Sequence, residues 1–342
     1  MQQIIRDIYS HLGDEESKKI YVNRLLFSMT GDRKYMTDII KDTELYKNVS
    51  NKFENDKRKK YIVSAGQWGK IIVDLFWEFG ISGIIDNYVA GSYRGLPILS
   101  VKDFSEREKD ATVYIASTSF HEEFIQNLKE AGVREDTIVD VTGMMLEVYH
   151  NLQYFDLPFL DDKRKKYEVF VDGGCYDGEN SLMFAKWADS AKKMIYAFEP
   201  DKDNVKNCER ILEQIGKDGV SYQLIQKGLW SSNKVLKFSA DSNEGSRLAE
   251  DGAVHIPVTS LDSVMNHEVT FIKMDIEGAE YEALTGAKRL IQKYKPKLAI
   301  SVYHKIEDIW ELPQLILSMQ ADYTFYLRHY SLSSEETVLY AI

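Results

Sequence analysis

The chain has 342 residues, 44% hydrophobic, 28% charged and 12% aromatic, with a formal net charge of −11. At roughly 150 residues per domain this length predicts about two globular domains, and the composition excludes a disordered, collagen-like or disulfide-stapled chain. No apolar run reaches the ~18 residues of a membrane-spanning helix. The N-terminus MQQIIRDIYSHLGDEESKK has no basic segment leading into an apolar one, so neither membrane insertion nor a secretion signal is expected and the cytoplasm is the default location. The acid excess opposes phosphate-backbone binding, which removes nucleic acid as an expected partner. Cys175 and Cys208 lack CxxC spacing and read as reduced thiols in a core.

Residues 1–54 read as a helical lead, with Ile20, Leu25, Leu26 and Met29 near helical spacing after the acidic start Asp14, Glu15, Glu16. The hexapeptide DKRKKY stands at 56–61 and returns at 162–167. Each copy leads into an apolar run and a glycine turn, YIVSAGQWG from Tyr61 and YEVFVDGGCYDG from Tyr167. That repeated order predicts two tandem Rossmann-like α/β units, 55–149 and 150–342.

In the first unit, a strand over Tyr61–Ala65, a turn at Gly66 and Gly69, a helix over Lys70–Phe79 and a strand over Ile81–Ile85 lead to Asp86. An acid about 20 residues past a glycine turn is where a Rossmann-type fold holds a ribose hydroxyl. AGQWG is only part of that fingerprint, so a nucleotide site at Gly66, Gly69 and Asp86 stands beside a purely structural reading. A turn at Gly95-Leu96-Pro97-Ile98 and a strand over Val113–Ser117 follow. The glycine turn, IIDN around Asp86 and RGLPIL resemble the small nucleotide-sugar-binding domain of bacterial sugar acyltransferases. That resemblance implies a nucleotide-sugar as a partner.

In the second unit, a strand over Glu168–Val171 runs into Asp172-Gly173-Gly174-Cys175-Tyr176-Asp177-Gly178, a helix through Trp187 and a strand over Met194–Phe198 ending at Glu199. Glu199 lies 25 positions past Gly174 and is placed for bidentate hydrogen bonds to vicinal ribose hydroxyls. A pyrophosphate wants bare N–H groups, whereas S-adenosylmethionine carries an ammonium and a sulfonium, so the acids Asp172 and Asp177 favour S-adenosylmethionine over NAD. Asp172 as a turn cap, Asp177 as a helix cap and the glycines as turn formers is the structural alternative. A strand over Gln223–Gln226 is followed by Lys227 and Gly228, in a loop expected near the adenine. Val235–Ser239 and His255–Val258 read as a hairpin with Gly245-Ser246-Arg247 between them.

The densest signal is FIKMDIEGAE from Phe271, a strand over Phe271–Ile276 and a helix from Glu280 through Ile291. Alternation puts Lys273, Asp275 and Glu277 on one side, with Asp275 facing the cofactor crevice. Glu277 and Glu280 also suit a helix N-terminus. Strands over Lys297–Tyr303, Thr324–Leu327 and Thr337–Ala341 close the unit. His304, just past the first of these, has the ordinary pKa of about 6.5 that suits a general base.

The segments VFVDGGCYDGENS, YAFEPD, FIKMDIEGAEYEALTGA, YHK and YLRHYSLSSEETVLYAI resemble the FkbM-type methyltransferases over about 150–342. The resemblance implies a class I, mostly parallel seven-stranded sheet, S-adenosylmethionine as cofactor, and O-methylation of a sugar, glycan or polyketide-like hydroxyl. It places Asp172, Gly174 and Glu199 in the cofactor site and Asp275 beside the methyl donor; Gly173, Asp177, Gly178, Lys227 and Gly228 join them from the reading above. In-line transfer needs alignment and removal of the hydroxyl proton, which falls to His304 first and Asp275 second. A metal held by Asp275, Glu277, Glu280 and His304 is not expected, since hydroxyl methylation needs none once a base is present. A nicotinamide-dependent oxidoreductase and a non-catalytic nucleotide-sugar-binding module are the rival functions, and a homo-oligomer is compatible with either. On the main reading, the first unit binds a sugar-bearing acceptor for the second.

Overall fold

A computed structural model of the protein describes residues 1–108, 110–117, 120–155, 157–188, 192–238 and 254–342. These form two compact units, one of Met1–Asp32, His150–His329 and Glu335–Ile342, the other of Arg33–Tyr149 and Tyr330–Ser334. The helical lead read over 1–54 is therefore shared between the units. The helix Glu15–Thr30 starts at Asp14, whose carboxylate accepts from Ser17 N, and ends at Gly31 with φ 68°. It belongs with the larger unit because Arg328 pairs with Asp14 at 2.7 Å and the Ser17 hydroxyl accepts from Leu327 N. The helix Glu44–Asn55 belongs with the smaller one, where Phe53 stacks on Phe76 and Tyr114.

The smaller unit is a six-stranded sheet of β1 (Lys60–Val63), β2 (Ile81–Ile85), β3 (Gly91–Tyr93), β4 (Leu96–Leu99), β5 (Thr112–Ile115) and β6 (Ile138–Asp140), in the order β3-β4-β2-β1-β5-β6. All neighbours are parallel except β3 and β4. Every residue of β1 is buried, as expected of a central parallel strand covered on both faces, which is why it reads as a continuous apolar run. The helix after it is Gln67–Leu75, ending before a 3₁₀ turn at Trp77–Phe79 that Gly80 closes with φ 72°.

The larger unit holds β7 (Tyr167–Gly173), β8 (Lys192–Phe198), β9 (Ser221–Ile225), β10 (Gly228–Leu229), β11 (Lys234–Phe238), β12 (Val254–Thr259), β13 (Phe271–Met274), β14 (Lys297–Ser301), β15 (Phe325–His329) and β16 (Thr337–Ala341). Seven of them form a sheet in the order β15-β16-β14-β13-β7-β8-β9, parallel from β14 to β9, with β16 antiparallel to both its neighbours. β11 and β12 pair antiparallel beside β10 in a separate three-stranded sheet; Gly245, Ser246 and Arg247 lie outside the described residues. Each copy of DKRKKY ends in the strand at which its sheet reverses order, β1 between β2 and β5, and β7 between β8 and β13. That reversal opens the crevice in which open α/β sheets bind ligands.

The single helix read over Glu280–Ile291 is instead two, Glu280–Thr285 and Lys288–Tyr294. Gly286 and Ala287 stand between them, and Gly286 admits no Cβ, which would stand 2.1 Å from the Trp230 carbonyl oxygen. Cys175 and Cys208 are buried free thiols. Among the described residues no helix is long and apolar enough to cross a membrane.

One ion pair secures the sheet below the crevice. Glu168 on β7 is fully buried and accepts from Lys297 Nζ at 3.0 Å, from Lys165 N at 2.6 Å and from the Thr270 hydroxyl. Burial draws the Lys297 pKa down and Glu168 opposes it. Glu168→Leu leaves that ammonium buried without its counter-charge and is expected to cost about 3–5 kcal/mol of stability, measured by urea unfolding.

Candidate active site

The glycine turn after β7 is built on a buried charge pair. Asp172, at the end of the strand, is fully buried, receives the Ser181 hydroxyl at 2.7 Å, and stands 3.3 Å from Lys273 Nζ of β13. Lys273 donates to the carbonyls of Gly174 at 2.8 Å and Gly173 at 3.3 Å. Burial pulls the Lys273 pKa down, but Asp172 and Asp275 outweigh it, so the ammonium stays charged. Asp172 therefore holds the turn from beneath and does not present its carboxylate at the open edge. Gly174, with φ 73°, lies so close to β13 that a Cβ would fall 2.0 Å from Asp275 O. Gly173 is buried between Leu229 and Lys273, and Gly178, φ 93°, lies against Cys208. Asp177, one residue before the N-cap Gly178, accepts from Glu179 N at 3.0 Å at the start of the helix Glu179–Trp187.

Glu199, past β8, closes the same turn from the other side. Its Oε2 accepts from Tyr176 N at 3.1 Å and its Oε1 from Asp201 N at 2.9 Å, with the side chain of Asn204 as a further partner of the carboxylate. Burial raises its pKa, with the two backbone N–H groups opposing. Lys227, exposed, and Gly228, at the start of β10, follow the next strand.

Past β13, which ends at Met274 rather than Ile276, and past β14, Asp275 and His304 come together. His304 Nε2 stands 3.4 Å from Asp275 Oδ1 and 3.8 Å from Glu277 Oε2, and Nδ1 is 3.0 Å from Glu280 Oε1. Burial lowers the His304 pKa, but Glu280, Asp275 and Glu277 overcome it and hold it up at about 9. The ring is thus charged at neutral pH. Two tyrosines absent from the sequence reading anchor Asp275, Tyr154 donating to Oδ2 at 2.9 Å and Tyr303 to Oδ1 at 3.1 Å. Burial, with Asp275 next, pushes both hydroxyls far above the usual range, so they remain donors. Tyr303 was legible as the neighbour of His304; Tyr154, 121 positions from Asp275, carried no local signal.

In the smaller unit Asp86 is buried and accepts from Ala65 N at 2.9 Å, Tyr88 N at 2.8 Å and Val89 N at 3.0 Å. Gly69 is packed against the Ser64 carbonyl, where a Cβ would stand 1.7 Å away, while Gly66 is exposed at the N-terminus of its helix with no side-chain cap.

A seven-stranded sheet with one antiparallel strand inserted, and acids at the carboxyl ends of its first, second and fourth strands, defines a class I methyltransferase-type unit. The comparisons with known proteins agree. Residues 172–327 match the family described as the methyltransferase FkbM domain. The chain is similar in fold to the solved methyltransferase FkbM from Methylobacillus flagellatus KT, at 20% identity and a TM-score of 0.52, over 88% of this chain and 94% of that one. Weaker likenesses are to an rRNA methylase from Streptococcus thermophilus (15% identity, TM-score 0.36, 54% of this chain, 90% of that one) and to an SAH-bound methyltransferase from Podospora anserina (11%, 0.31, 64% and 84%). No curated protein matches the chain. Residues 172–327 of the larger unit thus carry the match to the FkbM methyltransferase family, and the protein is an S-adenosylmethionine-dependent methyltransferase. The nicotinamide-dependent alternative is set aside.

Gly174→Ala is expected to push the turn away from Asp275 and to weaken binding of S-adenosylhomocysteine by about tenfold or more, the ~1.4 kcal/mol of a modest displacement. Calorimetry checks this, with circular dichroism reporting the fold.

Proposed function

We propose that the protein transfers the methyl group of S-adenosylmethionine to a hydroxyl of a sugar, glycan or polyketide-like acceptor. The observation that carries this reading is the placement of two acid-bearing groups at the carboxyl ends of strands of one sheet. Glu199 stands past β8 and would receive the ribose hydroxyls, and the Asp275–His304 pair stands past the strands on the far side of β7. The methyl donor's positive charge suits an edge with this excess of carboxylate. The sulfonium already activates the methyl group, so the chain has to align the acceptor oxygen and accept its proton. Proton removal falls to His304, oriented by Asp275. Because a charged imidazole is a poor base near pH 7, alignment carries the larger share of the rate.

The smaller unit enters the proposal as a binding module for a nucleotide or nucleotide-sugar. Asp86 is engaged by three backbone N–H groups, so the ligand's phosphate would meet the uncapped helix start at Gly66.

Glu199→Ala removes both ribose contacts and is expected to weaken S-adenosylmethionine binding about a hundredfold, from roughly 3 kcal/mol of charge-assisted hydrogen bonding. Equal binding by wild type and variant in calorimetry would remove Glu199 from the site. His304→Ala is expected to lower turnover about 10²-fold on a validated hydroxyl acceptor. That acceptor is sought by incubating the full-length protein with labelled methyl donor and a panel of UDP-, GDP- and dTDP-sugars. Mass spectrometry locating the label on nitrogen or carbon would refute O-methylation.

A further inference from the structure

Asp275, Glu280 and His304 come from the end of β13, the first turn of the helix Glu280–Thr285 and the end of β14, yet one donor atom of each lies within 4.8 Å of the others. Two donors on opposite sides of one divalent cation, each at about 2.1–2.4 Å, stand about 4.2–4.8 Å apart, so the three residues fit a single coordination sphere. One buried carboxylate oxygen in the cluster, Glu280 Oε2, makes no hydrogen bond. The Glu280 side chain is 1% exposed and that of His304 10%. An unsatisfied polar atom at this depth costs about 1–3 kcal/mol, and the ion pair of His304 Nδ1 with Glu280 Oε1 at 3.0 Å leaves Oε2 without a partner. Asp275, in turn, is held as metal-ligating carboxylates are held, by outer donors, here Tyr154 and Tyr303.

We propose that Asp275, Glu280 and His304 form a binding site for a divalent first-row cation at the carboxyl edge of the sheet. Two carboxylates and one imidazole suit manganese or magnesium better than a soft metal. This departs from the expectation, drawn from the sequence, that no metal is held there. The exposed Glu277, with Oε2 3.8 Å from His304 Nε2, adds a carboxylate at the rim. The site's existence does not depend on the acceptor. Its use does rest on the methyl-transfer reading: with a cation bound, His304 is a ligand rather than the base, and open coordination positions would take the acceptor hydroxyl and lower its pKa so that the proton passes to solvent.

The test is titration of Mn²⁺ into the metal-stripped full-length protein, followed by loss of the free-ion EPR signal, with calorimetry of S-adenosylhomocysteine on the same samples. Saturable binding of about one ion per chain is expected, weakened at least tenfold in Glu280→Gln and in His304→Asn while both variants keep S-adenosylhomocysteine binding. Spin-echo modulation of Mn²⁺ bound to the wild type is expected to report an imidazole nitrogen, a readout that needs no variant to fold. No saturable binding, equal affinity in wild type and variants, or no nitrogen coupling overturns the proposal. Mn²⁺ binding with no S-adenosylhomocysteine binding in the wild type supports the cation site and refutes the methyl-transfer reading; the reverse result refutes the cation site alone.

Discussion

The contact on which the larger unit's crevice depends is the buried pair between Asp172 and Lys273. Both side chains are out of water, at 0% and 1% exposure, and they join the ends of the two strands, β7 and β13, between which the crevice opens. Desolvating two charges costs several kcal/mol per ion unless each is compensated, and the compensation here is specific. Asp172 has the ammonium and the Ser181 hydroxyl; the ammonium has Asp172, two carbonyls of the glycine turn and the face of Tyr154 at 5.4 Å. Because those carbonyls belong to Gly173 and Gly174, the charge pair fixes the path of the backbone on which a ligand would rest.

The path is a demanding one. After β7, Gly174, Tyr176 and Gly178 have φ of 73°, 49° and 93°, and after β13, Glu277 and Gly278 have 56° and 87°. For Tyr176 and Glu277 the left-handed conformation costs roughly 1–2 kcal/mol each. Glu199 offsets the first by accepting from Tyr176 N, and Glu280 steadies the second loop by accepting from Ile276 N at 2.9 Å. Acids near this edge thus serve the backbone before they serve any ligand, which is why the dense acidic signal in the sequence overstates the number of free carboxylates. Asp172 accepts from the Ser181 hydroxyl and Asp177 from Glu179 N, bonds that lie within or beside the turn itself.

The strands and their order were legible because buried parallel strands are apolar runs bounded by glycine and acid, as at β1, β7 and β13. The acid at the end of β8 and the meeting of Asp275 with His304 follow from the sheet's order alone. What escaped depends on contacts between distant segments. Nothing local distinguishes Lys273 inside its apolar strand as the partner of Asp172, and Tyr154 reaches Asp275 from outside the sheet. The break at Gly286 lies where the Trp230 carbonyl approaches, a contact that helix propensity cannot contain. The division of the N-terminal helices had one local signal, Gly31, which caps the helix Glu15–Thr30 in the left-handed region and ends the part of the lead that joins the larger unit.

The two units use one device with different loads. In each, an acid at the end of the second strand accepts a backbone N–H from the turn after the first, Asp86 from Ala65 and Glu199 from Tyr176. A carboxylate offers about four lone-pair sites. Asp86 spends three, with both sites of Oδ1 taken by Tyr88 N and Val89 N, so it cannot receive two hydroxyls side by side. Glu199 takes one backbone N–H at each oxygen and has the Asn204 side chain beside it, so fewer backbone donors bind it than bind Asp86. The same glycine-turn and acid pattern in the sequence therefore gives a carboxylate held by two backbone N–H groups in the larger unit and one clamped by three in the smaller. Spacing predicts where the acid stands, and the count of backbone donors around it decides what it has left to give.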